Sequence, residues 1–392
     1  MSKIILKKNE DRRIKEGHLW IFSNEIQEMH GDAENGDLEE VFDRNNSFLG
    51  EGFYNKNSLI SIRLFSNSQI DNLKNVFERK LDAAFRLRRE LYPRRNSYRL
   101  AFSESDYLPG LIIDKYNDTY VLQVYSAGIE KNIGIVVDIL ANKYGAKNIF
   151  TKNEEHFRKL EGLSIEDTIY LGSEDAETIS DGYIKYNIDF GKGQKTGFYF
   201  DQADNRRFAG KLCKDKDVLD AFCNSGGFGL HAALNGAAKV TFIDASKTEV
   251  NKAEENFRLN GLKSEAEYIE DDVFAYFEKA SRENRKFDVV MIDPPAFAKN
   301  KKSLPAAKKG YEKLNRMAMN AVKEGGYLAT SSCSYHLHKE ELLSIINAAA
   351  VKSKKQIQLI HYNGASLDHP VVPAMEETEY LKFVVYRICE KM

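Results

Sequence analysis

Over the first 70 or so residues, apolar positions come in short runs, some alternating and some continuous. They are GHLWIFSNEI from Gly17, LEEVFD from Leu38, SFLGEGFY from Ser47 and SLISIRLF from Ser58. Clusters of Gly, Asn and Asp such as HGDAENGD separate them, and strands at such short spacing predict a small β-barrel. The period changes after Ser66. Ile70, Leu73, Val76, Phe77, Leu81, Ala84, Phe85 and Leu87 fall near helical spacing, and Pro93 ends the pattern. From about 100 to 180 strand and helix signals mix. LPGLIID from Leu108 and TYVLQVYS from Thr119 flank a turn, a helix follows from Gly128, and KNIFTKN reads as a strand. A small α+β domain is expected there.

From about 181 the rhythm becomes regular. DVLDAF from Asp217, KVTFID from Lys239, EAEYIED, FDVVMID from Phe287 and YLATSS from Tyr327 read as successive strands. GLHAALNG, KTEVNKAEENFRLNG, VFAYFEKASRENR and ELLSIINAAAVKS supply helices among them. Such alternation implies a parallel, doubly wound sheet. QIQLIHY and YLKFVVYRI close the chain with no helix between them, so an antiparallel member is expected at that end. Seven strands ending in this way are characteristic of class I methyltransferases. The expected boundaries are residues 1–68 for the barrel, 69–180 for the middle domain and 181–392 for the Rossmann-like domain.

A length of 392 residues suits several domains, and 42% hydrophobic with 30% charged residues is the balance of a folded chain. The net charge of −2 excludes a uniformly basic coat but hides local excess. Arg79 to Arg99 holds eight basic residues against two acids, and the loop expected from Lys299 to Lys313 holds six lysines against Glu312. The first tract is either a solvated helix face or a phosphate-contacting surface. Four cysteines, at 213, 223, 333 and 389, form neither a CxxC pair nor a disulfide scaffold, and no metal site is expected. The N-terminus lacks a signal-peptide core, and no stretch approaches the ~20 apolar residues of a membrane span. A reduced, cytoplasmic protein with no membrane partner is expected.

The first regular strand runs through Asp220 and Phe222 into Asn224, Gly226, Gly227 and Gly229 before a helix, a turn that lets a ligand approach the backbone. Asp244, followed by Ala245, ends the second strand and can accept ribose hydroxyls. Asp272 ends the third and Asp293, before Pro294, the fourth. Each acid alone could be an ordinary strand-end residue; four at successive strand ends mark a crevice. The turn is not a clean GxGxxG and there is no phosphate-binding lysine, so S-adenosyl-L-methionine fits better than NAD or a nucleoside triphosphate. Upstream, the glycine- and aromatic-rich run from Lys192 to Gln202, with Phe198 inside it, could lid the cofactor or be a surface turn.

After Asp293 and Pro294 come Pro295 and Phe297, suited to receiving and stacking on a flipped base, with Lys299 beyond them. The fifth strand ends in Thr330-Ser331-Ser332-Cys333-Ser334, which would bring Cys333 beside Asp293. A thiolate adding at carbon 6 of a pyrimidine makes carbon 5 nucleophilic, and this chemistry needs a thiol there. A cysteine is also commonly a small buried hydrophobe, and both readings stand on spacing alone.

GQKTGFYFDQADNR, DAFCNSGGF, DPPAF, SSCS and DHPVVPAMEETEYLKF together resemble the large-subunit ribosomal RNA 5-methylcytosine methyltransferases of the RlmI type. GHLWIFSNEI and GEGFYNKNSLISIRLF resemble that family's PUA domain, an RNA-binding β-barrel, and ESDYLPGLIIDKY and EEHFRKLEGL its middle domain. The resemblance spans nearly the whole chain and implies a multidomain α/β fold. Its parts would be an N-terminal PUA-like β-barrel, a small α+β middle domain and a C-terminal class I methyltransferase domain with a seven-stranded mixed sheet. It implies carbon-5 methylation of cytosine in 23S rRNA with Cys333 as nucleophile and Asp293 assisting through the ring nitrogen. It also implies cofactor contacts at Phe198, Asp220, Phe222, Asn224, Gly226, Asp244, Ala245, Asp272, Asp293 and Pro294, and base contacts at Pro295, Phe297 and Lys299. Other RNA 5-methylcytosine enzymes carry a second cysteine after the DPP-position proline; here Ala296 and Phe297 stand there, so the acceptor of the carbon-5 proton is unassigned. The expected partner is large-subunit ribosomal RNA, and a homodimer is compatible. Competing readings are methylation of guanine N7 or an exocyclic amine, a non-catalytic RNA-binding assembly factor, and a dinucleotide oxidoreductase.

Overall fold

The short apolar runs of the N-terminal stretch pair as strands because alternate side chains share one face. In the computed structural model, which describes residues 2–191, 196–298 and 300–389, six strands form one sheet. They are Lys3–Leu6, Trp20–Phe22, Ile26–His30, Leu38–Phe42, Phe48–Tyr54 and Ile60–Ser66. Ile4, Leu6, Ile21, Val41, Ile62 and Leu64 fill its inner face. Lys3–Leu6 and Ile26–His30 are strands that the apolar pattern did not single out; charged neighbours mask both.

The helix predicted after Ser66 runs Leu73–Leu91, capped by the Asn72 side chain, which accepts from the Asn75 N–H at 3.1 Å. Its Val76, Phe77 and Leu81 share a core with a five-stranded sheet whose central strands are Leu111–Tyr116 and Thr119–Val124. The basic tract divides here. Arg88 is fully buried and forks onto Asp106, while its Nη2 also donates to the Asp368 carbonyl at 2.7 Å. Arg99 binds Asp114 at 2.8 Å and Lys80 donates to the Tyr107 carbonyl at 2.7 Å. Arg88 and Arg99 therefore serve interior partners, Lys80 binds an exposed carbonyl, and Arg79, Arg86, Arg89 and Arg94 are the exposed ones. These residues all belong to the first of two compact units, made of 1–179, 188–200 and 367–378.

The second unit comprises 180–187, 201–366 and 379–392. Its seven strands are β1 (Asp217–Ala221), β2 (Lys239–Asp244), β3 (Glu265–Glu270), β4 (Phe287–Ile292), β5 (Val322–Ser332), β6 (Ile357–Asn363) and β7 (Lys382–Ile388). They lie in the order β3-β2-β1-β4-β5-β7-β6. β1 to β5 are parallel to their neighbours, and β7 runs antiparallel to both β5 and β6. Continuous apolar stretches suit strands covered on both faces. The helices are α1 (Ala203–Gly210), α2 (Gly227–Leu234), α3 (Lys247–Leu259), α4 (Val273–Arg282), α5 (Leu304–Ala321) and α6 (Lys339–Lys352).

α5 corrects one expectation. The lysine-rich segment after Asp293 is a loop only at its start; from Leu304 it is helix, with Pro305 in the first turn, where its missing N–H costs nothing. Ala307, Tyr311, Leu314, Ala318 and Ala321 recur at helical spacing and are buried, which outweighs the lysines. Among the described residues no helix is long and apolar enough to cross a membrane.

Candidate active site

The cofactor turn is built by backbone geometry. Phe222, Asn224 and Gly226 all adopt positive φ (61°, 48° and 87°), which winds the chain tightly between β1 and α2. A Cβ on Gly226 would sit 2.9 Å from Ala253 of α3, and one on Gly229 would sit 2.2 Å from the Phe242 ring of β2. Those two glycines let α2 approach its neighbours at a distance no side chain would permit. Asp220 lies behind the turn, 1% exposed, and its Oδ2 accepts the Gly229 N–H at 2.7 Å. Burial pushes its carboxyl up to about 7; the like charges of Asp293 and Asp244 add to this, while the Gly229 N–H and Arg206 oppose it.

Asp244 closes β2 and is half-buried. Its two carboxylate oxygens accept from the main-chain N–H groups of Asn224 (3.0 Å) and Ser246 (2.9 Å), joining the first turn to the second. Ala245 beside it is exposed. Asp272, exposed after β3, caps α4 through Oδ1, which accepts from the Ala275 N–H at 2.9 Å. Acids thus stand at or near the ends of four adjacent strands, three of them accepting main-chain N–H groups of the neighbouring turns. Such a set suits the diol and amino groups of an adenosyl moiety.

Beyond β4, Asp293 Oδ1 accepts from Gln202 Nε2 at 2.9 Å, and the same nitrogen reaches Ser331 Oγ at 3.1 Å. Gln202 is itself held by Asn205 Nδ2, which donates to its Oε1 at 2.7 Å. Withdrawal from water pushes the Asp293 carboxyl up to about 6, and the neighbouring Asp201 charge adds to this; Arg206, Ser331 and Gln202 pull the other way. Asp293 is therefore an acid able to hold or release a proton near neutrality.

The end of β5 explains why serines flank the cysteine. Ser332 and Ser334 are fully buried and both bind the Tyr311 hydroxyl, at 3.0 and 2.9 Å. Ser334 Oγ also accepts the Ala298 N–H at 3.2 Å, tying this loop to the one that follows β4. Cys333 between them is half-buried, its Sγ 3.9 Å from the Pro294 carbonyl oxygen. Two anchored neighbours leave the thiol as the residue presented by the loop. Phe297 is half-buried with its ring 4.6 Å from that of Tyr311, and Pro295 is exposed.

Asp220, Phe222, Asn224, Gly226, Asp244, Asp272, Asp293, Pro294, Pro295, Phe297 and Cys333 all belong to the second unit, at the strand ends from which the site is built. Phe198 belongs to the first unit, where it packs on Phe200 with centroids 5.1 Å apart. Lys299 and residues 192–195 lie outside the described residues. Cys213 and Cys223 are buried, and burial raises both thiols, the first to about 12. Gln202, Tyr311 and the paired serines were not singled out from the sequence. Their roles come from contacts across long separations, although FDQADN and SSCS carried them in plain view.

Residues 4–67 match the PUA-like domain family, and residues 165–355 match the S-adenosylmethionine-dependent methyltransferase family. The ribosomal RNA large subunit methyltransferase I of Aliivibrio fischeri (strain MJ11) is 37% identical over 98% of this chain and 99% of its own. That of Alteromonas mediterranea is 33% identical over 99% of both. Among solved structures, SMU.776 complexed with SAH covers 99% of this chain and 100% of its own with a TM-score of 0.85 at 22% identity. The tRNA m1G37 methyltransferase of M. jannaschii covers 91% of this chain and 93% of its own with a TM-score of 0.51 at 16% identity, so the fold alone does not choose a base.

Proposed function

This chain belongs to the ribosomal RNA large subunit methyltransferase I family, a class of S-adenosylmethionine-dependent enzymes, and from that premise we propose that it methylates carbon 5 of a cytosine in large-subunit ribosomal RNA through a covalent bond from Cys333 to carbon 6. The observation that carries the reading is the juxtaposition of a presented thiol, Cys333, with the loop of Asp293, an acid tuned to about 6.

The cofactor would be held by the turn from Phe222 to Gly226, by Asp244 and Ala245, and by Asp272, with Asp220 bracing the turn from behind. These acids, with no phosphate-binding lysine beside them, fit an adenosyl group. S-adenosylmethionine supplies a methyl group on a sulfonium. Phe297 and Pro295 would receive the flipped cytosine. Asp293, carrying its proton, donates toward the ring nitrogen as the Cys333 thiolate bonds to carbon 6; the displaced π electrons make carbon 5 nucleophilic. Once carbon 5 is methylated, its proton passes to water, the ring nitrogen returns its proton to Asp293, and the sulfur leaves with the electron pair of the carbon–sulfur bond, restoring the aromatic ring and the free thiolate. The PUA-like domain and the exposed arginines of the Leu73–Leu91 helix would hold the RNA.

Cys333→Ser is expected to abolish methylation of ribosomal RNA while leaving S-adenosylmethionine binding intact. Incubating each protein with rRNA from a strain lacking the enzyme, then locating new methyl groups by nuclease digestion and mass spectrometry, checks both base and atom. A Cys333→Ser protein that still methylates would point to a ring nitrogen or exocyclic amine and end the carbon-5 reading.

A further inference from the structure

Lys382 opens β7 and pairs in register with Ser332, the last residue of β5. It is 3% exposed, and its Nζ donates to the carbonyl oxygens of Ser334 (2.9 Å) and Tyr380 (2.8 Å). Both acceptors are neutral, and among the described residues no carboxylate lies within ion-pair distance of the ammonium. A buried cation served only by neutral carbonyls is costly unless an anion stands near it at some stage of the protein's work. Burial pulls its pKa down to about 8, and the groups that draw it back up are Glu379, Cys333 and Glu341. Glu341 is already engaged by Lys308 and by the His338 N–H, and Glu379, the strongest of the three, is exposed and screened by water. Cys333 lies one residue from the register partner of Lys382 and one residue from its acceptor.

We propose that Lys382 is the positioning residue that supplies the counter-charge to the Cys333 thiolate, holding the loop through the Ser334 carbonyl and keeping its sulfur ionised. This rests on the reading of Cys333 as the nucleophile. The thiol proton passes to solvent; Lys382 keeps its three protons below its own value of about 8 and makes no contact with substrate. The titratable groups that act on this pair are Glu379 before β7 and Glu341 from α6, on Lys382, and Tyr311 from α5, beside Cys333. The carboxylates raise a thiol; Lys382 is the buried cation that lowers it.

The test is the pH dependence of iodoacetamide labelling at Cys333, resolved by peptide mass spectrometry on the full-length protein. In the unaltered protein the apparent pKa should fall below the ordinary cysteine value of about 8.5. Lys382→Met should raise it by about one unit, slowing labelling at pH 6.5 by roughly tenfold. The acid limb of the kcat/KM profile for methylation should move to higher pH by the same amount. A Cys333 pKa of 8.5 or more in the unaltered protein overturns the proposal, whether or not the variant folds. So do superimposable labelling profiles for the two proteins. Failure of the nucleophile reading has a separate signature, methylation by Cys333→Ser, which labelling does not touch.

Discussion

At the residue scale the site depends on carboxyls held out of water. Asp220 is pushed up to about 7 and Asp293 to about 6, so between pH 4 and pH 7 the folded chain retains protons that the unfolded chain has lost. The stability contributed by these two carboxyls should therefore be fully present below pH 4, fall as pH rises to about 7 and level off above it, while carboxyls held low, such as Asp181 at about 2, contribute the opposite slope at acid pH. Asp220→Asn keeps an oxygen to accept the Gly229 N–H but cannot ionise, so it should flatten this slope and gain on the order of 1–4 kcal/mol over the parent at pH 8 relative to pH 4. Urea unfolding of both proteins at the two pH values measures it; parallel curves would show that Asp220 does not titrate as inferred. The placement of Asp293 and Cys333 was legible in the sequence because each directly follows a strand within a short motif. Lys382 and Gln202 were not, since their meaning arises from registers and contacts spanning 48 and 91 positions.

At the element scale, close packing of α2 on β2 sets the shape of the cofactor turn. Gly229→Ala would drive a methyl group into the Phe242 ring and should destabilise the protein by about 1–3 kcal/mol. Phe242→Leu should recover part of that loss in the double variant, giving a coupling energy instead of simple addition. Thermal unfolding of the four proteins in the cycle checks this, and strict additivity would place the strain elsewhere. The strands and helices of the second unit were readable because runs of Val, Ile and Leu alternate with amphipathic segments. α5 was not, because three lysines within it, three more just before it and a proline obscured a buried stripe that is nonetheless regular: Ala307, Tyr311, Leu314, Ala318, Ala321. Charge at the surface of a helix says little about whether the helix exists; the spacing of its apolar residues says more.

At the scale of the whole molecule, a net charge of −2 coexists with two exposed basic sets, Arg79, Arg86, Arg89 and Arg94 in the first unit and Lys301, Lys302 and Lys309 in the second. If both contact phosphates, affinity for rRNA should fall steeply with salt. Arg79→Ala, Arg86→Ala and Arg89→Ala combined should reduce the slope of log K against log salt by up to about 0.9 per lost contact. Fluorescence anisotropy from 50 to 200 mM salt measures that slope, and an unchanged value would remove the helix from the RNA surface. Arg88, one residue away, would be a misleading choice, since its loss unpairs Asp106 inside the fold.

The interleaved path of the chain sets the order in which the protein can be completed as it is made. Arg88 and Arg99 appear early, yet two of their acceptors belong to Asp368, whose carbonyl accepts a hydrogen bond from the first and whose carboxylate accepts one from the main-chain N–H of the second at 2.9 Å. While residues 100 to 367 are being synthesised, a guanidinium destined for full burial has only part of its mature set of partners. N-terminal domains commonly finish folding before the rest of a chain emerges. Here the first unit reaches its final stability only when nearly the entire polypeptide exists, so its last stage of maturation and that of the catalytic sheet fall together.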